Sequence, residues 1–283
     1  MAATEPFATP ISISSVIGVS APPGAWPGLA EAARASGVAL TSEQLDRFDR
    51  YRDLLRHWNT RFNLTAVVEP EAIERRLFLD AVRLLPALKR FAPLDLDGAS
   101  RMSRLVDIGS GAGFPGLPIA ICRPDLAVTL VEATAKKVAF LDAAAVELDL
   151  ENTRAIHARA EELGHEPAHR GSYDLATARA VASLPALLEL SMPLLREGGS
   201  ALFPKGLDLA TELAAGQRAA PLVGSVLIAD EVLPGGETRL IVARKTLATS
   251  RRFPRRAGIP SRQPLGGLPS SGQSDSGPGV GCR

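Results

Sequence analysis

The chain has 283 residues, with 32 Lys and Arg against 31 Asp and Glu, 46% hydrophobic residues and two cysteines. That length holds one large domain with appendages, because single hydrophobic cores stop growing near ~250–300 residues. The near-zero charge is unevenly spread: residues 248–283 carry six Arg and one acidic residue, leaving 26 basic and 30 acidic groups in residues 1–247. A basic coat over the whole body is thereby excluded, although a local basic patch is not.

Cys122 and Cys282 lie far apart, and neither has a Cys partner at metal-ligand spacing. No disulfide framework is expected, which points to a reducing compartment. The N-terminal region contains Glu5 and no Lys or Arg before Arg34, so it lacks the charged start of a secretory signal. No apolar run reaches the ~18 residues of a membrane span. A soluble, cytoplasmic protein is the expectation.

Residues 1–25, with Pro10, Pro22, Pro23 and Gly24, read as a disordered extension. Residues 26–97 read as a small helical element. Thr41 and Gln44 have capping-box spacing, and Leu45, Phe48, Leu55, Trp58 and Phe62 recur on one helical face. A second helix is predicted to carry Ile73, Leu77, Leu79 and Leu84-Leu85 before Pro86, ahead of a loop with Pro93 and Gly98.

Residues 98–247 read as an α/β domain. Short β-rich runs at 104–108, 127–132, 153–158, 173–178 and 200–203 alternate with helical segments at 115–121, 136–148 and 184–195, the signature of a parallel sheet flanked by helices. Runs at 225–233 and 238–243 around Pro234-Gly235-Gly236 predict a closing antiparallel hairpin. The fold expectation is a mostly parallel, seven-stranded, Rossmann-like sheet ending in that hairpin. Half of residues 248–283 are Pro, Gly or Ser, so this segment is expected to be a disordered tail.

The stretch Asp107-Ile108-Gly109-Ser110-Gly111-Ala112-Gly113-Phe114-Pro115-Gly116 follows a predicted strand and opens a helix. Its glycines allow a tight turn and let a ligand lie against bare peptide groups. Asp107 can hold the loop through backbone N–H groups or take up positive charge. Glu132 ends the next strand, 23 residues after Gly109, where an acid can accept both hydroxyls of a ribose; alternatively it is an N-cap or a solvated loop residue. The third glycine comes one residue too early for the G-x-G-x-x-G pyrophosphate pattern. An acid before the loop without pyrophosphate geometry favours S-adenosylmethionine, a sulfonium cation without phosphate, over NAD.

These motifs resemble the RsmG (GidB) family, methyltransferases that act on N7 of a guanine in 16S ribosomal RNA. The resemblance rests on Trp58-Asn59-x-x-x-Asn63-Leu64-Thr65, the Asp107–Gly116 loop with Pro118 and Arg123-Pro124, and Glu132 with Lys136-Lys137 and Phe140-Leu141. It continues through Glu147-Leu148, Leu150-Glu151-Asn152, Arg159-Ala160-Glu161-Glu162, Ala178-Arg179-Ala180 with Ala182-Ser183-Leu184, and Lys205-Gly206, covering about residues 40–245. It implies S-adenosylmethionine as cofactor, held by Gly109, Gly111 and Phe114 in the loop, Glu132 at the ribose, Ala160 and Glu161 at the adenine edge, and Arg179 facing the reaction centre as the catalytic residue. Members carry His where Leu77 stands in Arg76-Leu77-Phe78-Leu79-Asp80, so any role of that His does not transfer.

The implied partner is 16S rRNA or the small ribosomal subunit, bound by a monomer with no metal and no membrane. Lys136, Lys137, Arg75, Arg76, Arg83, Arg123, Arg159 and Lys205 are candidates for phosphate contacts, with the Arg-rich tail adding affinity at low salt. Arg179 could instead form a structural ion pair. Asn59 and Asn63 could cap a turn or bond the base. His165-Glu166-Pro167-Ala168-His169 matches H-E-x-x-H by letter, but Pro167 and Gly164 argue against the helix a zinc site needs; His57 and His157 stand alone. The alternatives are a methyltransferase of the same fold acting on a small molecule or protein, and a non-catalytic nucleotide-binding module.

Overall fold

The computed structural model describes residues 27–92 and 102–267. The expected extension 1–25 lies outside these residues.

The chain opens with α1 (Leu29–Ala35) and α2 (Ser42–Asn59). The Thr41 hydroxyl accepts from the Gln44 N–H while the Gln44 side chain accepts from the Thr41 N–H, so α2 starts at the expected capping box. The predicted second helix is broken into α3 (Pro70–Ile73), a π-helical turn over Glu74–Phe78, and α4 (Leu79–Val82), followed by α5 (Leu85–Phe91). One extra residue in the turn shifts the helical face, which an apolar period cannot reveal.

Seven strands follow: β1 (Ser103–Ile108), β2 (Leu126–Glu132), β3 (Thr153–His157), β4 (Tyr173–Thr177), β5 (Leu195–Lys205), β6 (Ser225–Val232) and β7 (Arg239–Lys245). They form one sheet in the order β3-β2-β1-β4-β5-β7-β6. The first five are parallel, and β7 runs antiparallel between β5 and β6. The connecting helices are α6 (Gly116–Cys122), α7 (Ala135–Glu147), α8 (Ala160–Leu163), α9 (Leu184–Ser191) and α10 (Ala210–Ala219).

Alternate strand residues enter two cores. Leu105, Leu130, Leu175, Leu202 and Leu240 pack with Phe48, Tyr51, Phe78 and Phe140 on one face. Val106, Val131, Ala176, Ala201 and Ile241 pack with Leu184, Leu187 and Leu188 on the other. The N-terminal helices therefore share a core with the sheet. Sheet period and helix coverage on both faces agree with the expected doubly covered α/β architecture.

The expectation of a disordered tail from residue 248 is corrected over 248–267. This segment lies along α8, α9 and α10 and contains a short helix, α11 (Ile259–Arg262). Phe253 is buried. The Arg255 guanidinium forms a two-pronged pair with Glu189, its Nη2 lying 2.6 Å from Oε2, and Glu189 is fully buried. Arg170 donates to the carbonyls of Gly164, Thr249, Ser250 and Phe253. Composition misled because these few polar anchors, rather than apolar area, order the strap. Residues 268–283 lie outside the described part.

Breaking a buried ion pair from one side strands a desolvated charge. Arg255→Ala should therefore destabilise the fold by about 3 kcal/mol, whereas Glu189→Leu combined with Arg255→Met should recover most of that loss. Urea unfolding of the three proteins checks this; a silent Arg255→Ala would show the strap to be unanchored.

Candidate active site

The site grows from the turn that ends β1. Gly109, Gly111 and Gly113 have φ of 67°, 59° and 92°, a region that side chains with a Cβ avoid. Space also demands glycine at Gly113, where a Cβ would lie 2.3 Å from Leu117 Cδ1 and 2.7 Å from the Tyr51 hydroxyl. At Gly111 a Cβ would instead point into open space, its nearest neighbour the Gly109 carbonyl at 3.8 Å, which leaves a bare backbone face for a ligand.

Two carboxylates brace this turn. Asp107 Oδ2 accepts from the Gly116 N–H at 3.1 Å, tying the strand end to the first residue of α6. Glu132 accepts from the Gly111 N–H at 3.0 Å through Oε2 and from the Thr134 N–H at 2.8 Å through Oε1. Each Glu132 oxygen keeps a lone pair, so bracing the loop leaves it able to accept a hydroxyl. Asp107 is fully buried, and its Oδ1 has no partner among the described residues. Burial pushes its carboxyl up to about 7, against the hydrogen bond from Gly116.

Sequence reasoning missed Tyr51. From α2 it reaches under the turn, donates its hydroxyl to the Ala112 carbonyl and stacks on Phe114 at 5.3 Å between ring centroids. Burial raises its phenol well above the usual value. Its position on the apolar face, three residues after Phe48, was the available signal, but a tyrosine there reads as ordinary core.

The other expected residues lie along the same edge of the sheet. Ala160 and Glu161 open α8 just after β3; Ala160 is buried, and Glu161 Oε1 accepts from the Gly258 N–H of the strap at 2.8 Å. Arg179 follows β4, and Lys205 ends β5. In strand order the edge thus presents Ala160, Glu132, the glycine turn, Arg179 and Lys205. The turn and Arg179 flank the β1/β4 junction, where the chain reverses its order across the sheet, the place where open α/β sheets bind ligands.

Arg179 Nη2 donates to the Arg76 carbonyl at 2.8 Å and lies 3.4 Å from Asp80 Oδ2. The carbonyl belongs to the π-helical turn, so that distortion supplies an acceptor to the arginine. Nη1 is buried and has no partner among the described residues. Burial lifts the Asp80 carboxyl against the pull of Arg179 and Arg83. The next residue, Ala180, has φ of 55°, and Val181 leans over the glycine turn, 2.6 Å from where a Cβ on Gly109 would sit. Strain of this kind concentrates at functional sites. A cavity of about 390 Å³ opens beside Arg179, lined also by Asp80, Pro115, Lys205, Glu212 and Glu237.

Several expected surface residues are occupied. Arg83 lies 3.6 Å from Asp80, Arg123 binds Asp125, and Lys205 binds Glu212 and the Ala182 carbonyl. Arg75, Arg76, Lys136 and Arg159 are exposed, and Lys137 is half-buried. Asn59 accepts from the Leu64 and Thr65 N–H groups, so it caps the end of α2, while Asn63 is exposed. His165 bonds the Pro254 carbonyl and His169 the Tyr173 hydroxyl, each imidazole thus engaged with a separate partner.

The sheet order, the glycine turn and the acid ending β2 define a class I S-adenosylmethionine-dependent methyltransferase. The profile described as "GidB: rRNA small subunit methyltransferase G" matches residues 44–232. Among relatives named ribosomal RNA small subunit methyltransferase G, the one from Roseiflexus sp. (strain RS-1) is 45% identical over 84% of this chain and 98% of its own length. That from Chloroflexus aggregans is 45% identical over 84% and 97%, and that from Acetivibrio thermocellus 37% over 84% and 95%. A solved TehB-like SAM-dependent methyltransferase from Corynebacterium glutamicum aligns with 17% identity and a TM-score of 0.41 over 59% of this chain and 87% of that one. The chain belongs to the GidB family of small-subunit rRNA methyltransferases. Among the described residues no helix is long and apolar enough to cross a membrane.

Asp107 supplies a pH signature. Its carboxyl ionises near 3.8 in the unfolded chain and near 7 in the fold, so between these values the native state binds more protons. Stability from this group is full below about 4 and is lost as pH rises through about 7. Asp107→Asn removes the titration, and its stability relative to wild type should rise by at least about 1 kcal/mol from pH 4.5 to 8. Denaturant melts across that range test it; parallel curves would refute the shifted carboxyl.

Proposed function

We propose that this enzyme methylates N7 of a guanine in 16S rRNA, with the cofactor laid along the edge from β3 to β1 and the base in the cavity beside Arg179. The observation that supports this reading is the continuity of the braced glycine turn with that cavity through Pro115 and Arg179. In this reading Glu132 receives the ribose hydroxyls, Gly109, Gly111 and Phe114 face the methionine and adenosine, and Ala160 and Glu161 lie at the adenine. The bare backbone face at Gly111 leaves room for such a ligand.

When bound, S-adenosylmethionine would supply an electrophilic methyl on a cationic sulfur able to leave as a neutral thioether. A guanine N7 lone pair could take that methyl with no proton removed first. The protein's task is therefore alignment and exclusion of water. Arg179 is held from behind by the Arg76 carbonyl and Asp80, and its free Nη1 can grip a guanine acceptor edge or a phosphate. Arg75, Arg76, Lys136 and Arg159 would contact phosphates, giving affinity that falls with salt. The reading takes the enzyme as a cytoplasmic monomer working without a metal.

The test is deletion of the gene followed by detection of 7-methylguanosine in small-subunit RNA through chemical cleavage and primer extension. The mark should vanish, return with the wild-type gene, and fail to return with Arg179→Ala. With purified protein, Arg179→Ala should lower the methylation rate by about 10²-fold or more, the scale of a lost transition-state donor. An unchanged mark in the deletion strain would end the N7 assignment.

A further inference from the structure

We propose that the strap formed by residues 249–263 positions the adenine side of the cofactor site, with Glu161 as the link. This rests on the reading above that Ala160 and Glu161 flank the adenine. The strap lies beyond the residues matched by the family profile, 44–232.

The strap bears on one short structure, α8 and the turn after it. Glu161 Oε1 accepts from the Gly258 N–H at 2.8 Å. His165 Nε2 bonds the Pro254 carbonyl at 2.7 Å. Gly164 is where Pro254 packs, since a Cβ there would meet Pro254 Cγ at 2.6 Å. Arg170 clamps the Gly164 carbonyl and three strap carbonyls with one guanidinium. Below them the Arg255–Glu189 pair fixes the strap to α9. A helix of four residues has little stability of its own, so the placement of Ala160 depends on what holds α8 from outside. Glu161 therefore acts through its bond to the strap and is a positioning residue.

The inference is tested in the full chain by calorimetric binding of S-adenosylmethionine. Glu161→Ala should weaken binding about 3- to 10-fold, as should Arg170→Met, which frees the strap without stranding Glu189. Glu161→Gln, which keeps an acceptor oxygen, should recover most of the affinity. The double variant should lose little more than either single one, because both cut the same link. In Arg170→Met, which alters no residue assigned to the cofactor, methylation at saturating cofactor should stay near wild type. By reciprocity, added S-adenosylmethionine should slow amide hydrogen exchange at residues 249–262.

Additive losses, or Glu161→Gln as damaging as Glu161→Ala with Arg170→Met silent, would show a direct carboxylate contact and overturn the strap's role. Exchange in the strap that ignores the cofactor would overturn it as well. Failure of the underlying reading looks different: Glu132→Ala would then leave S-adenosylmethionine affinity intact.

Discussion

The glycine turn and the two acids that brace it depend on one constraint, the reversal of the chain at the end of β1. Three residues with positive φ within five positions cannot hold that shape unaided. The Asp107 carboxylate on Gly116 and the Glu132 carboxylate on Gly111 close the turn from opposite sides. Both acids lie in central strands, so the register of β1 on β2 sets the geometry of the loop: Asp107 pairs with Leu130 and Ile108 with Val131, one residue before Glu132. A slip of one residue would turn each acid to the wrong face.

The N-terminal helices matter to the same turn. Tyr51 stacks on Phe114 and Phe78 packs against it at a tilt, so the helical element forms the floor of the loop. The π-helical distortion at the far end of that element delivers the Arg76 carbonyl to Arg179. The helical element thereby supports both the glycine turn and Arg179. Leu77 falls inside this π-helical turn, and its buried apolar side chain contributes packing there.

Local chemistry was legible in the sequence wherever it repeats at short range. The capping box at Thr41 and Gln44, the seven alternating strands and the acid closing β2 could all be read from spacing. What escaped were features created by tertiary contact. The Tyr51 hydroxyl bond crosses 61 positions, and Arg179 reaches back 103 positions to Arg76. The strap was misread because low apolar content implies disorder only when no buried counter-charge awaits the chain, and Glu189 gave no sign in the sequence of being such a group. α10 went unassigned because its small-residue composition gives a weak apolar stripe.

The insertion of β7 between β5 and β6 has a consequence for the order in which the site is completed during synthesis. The first three strands and their loops, everything assigned to the ribose and methionine, are in hand once about residue 160 has emerged. The walls supplied by Glu237 and Thr238 arrive only when the hairpin returns beside Lys205, and the support behind α8 comes later still. Domains fold from the N-terminus as the ribosome releases them. An enzyme that modifies ribosomal RNA is thus itself finished outward from its glycine turn, gaining the cavity beside Arg179 and the strap behind α8 only after its first three strands.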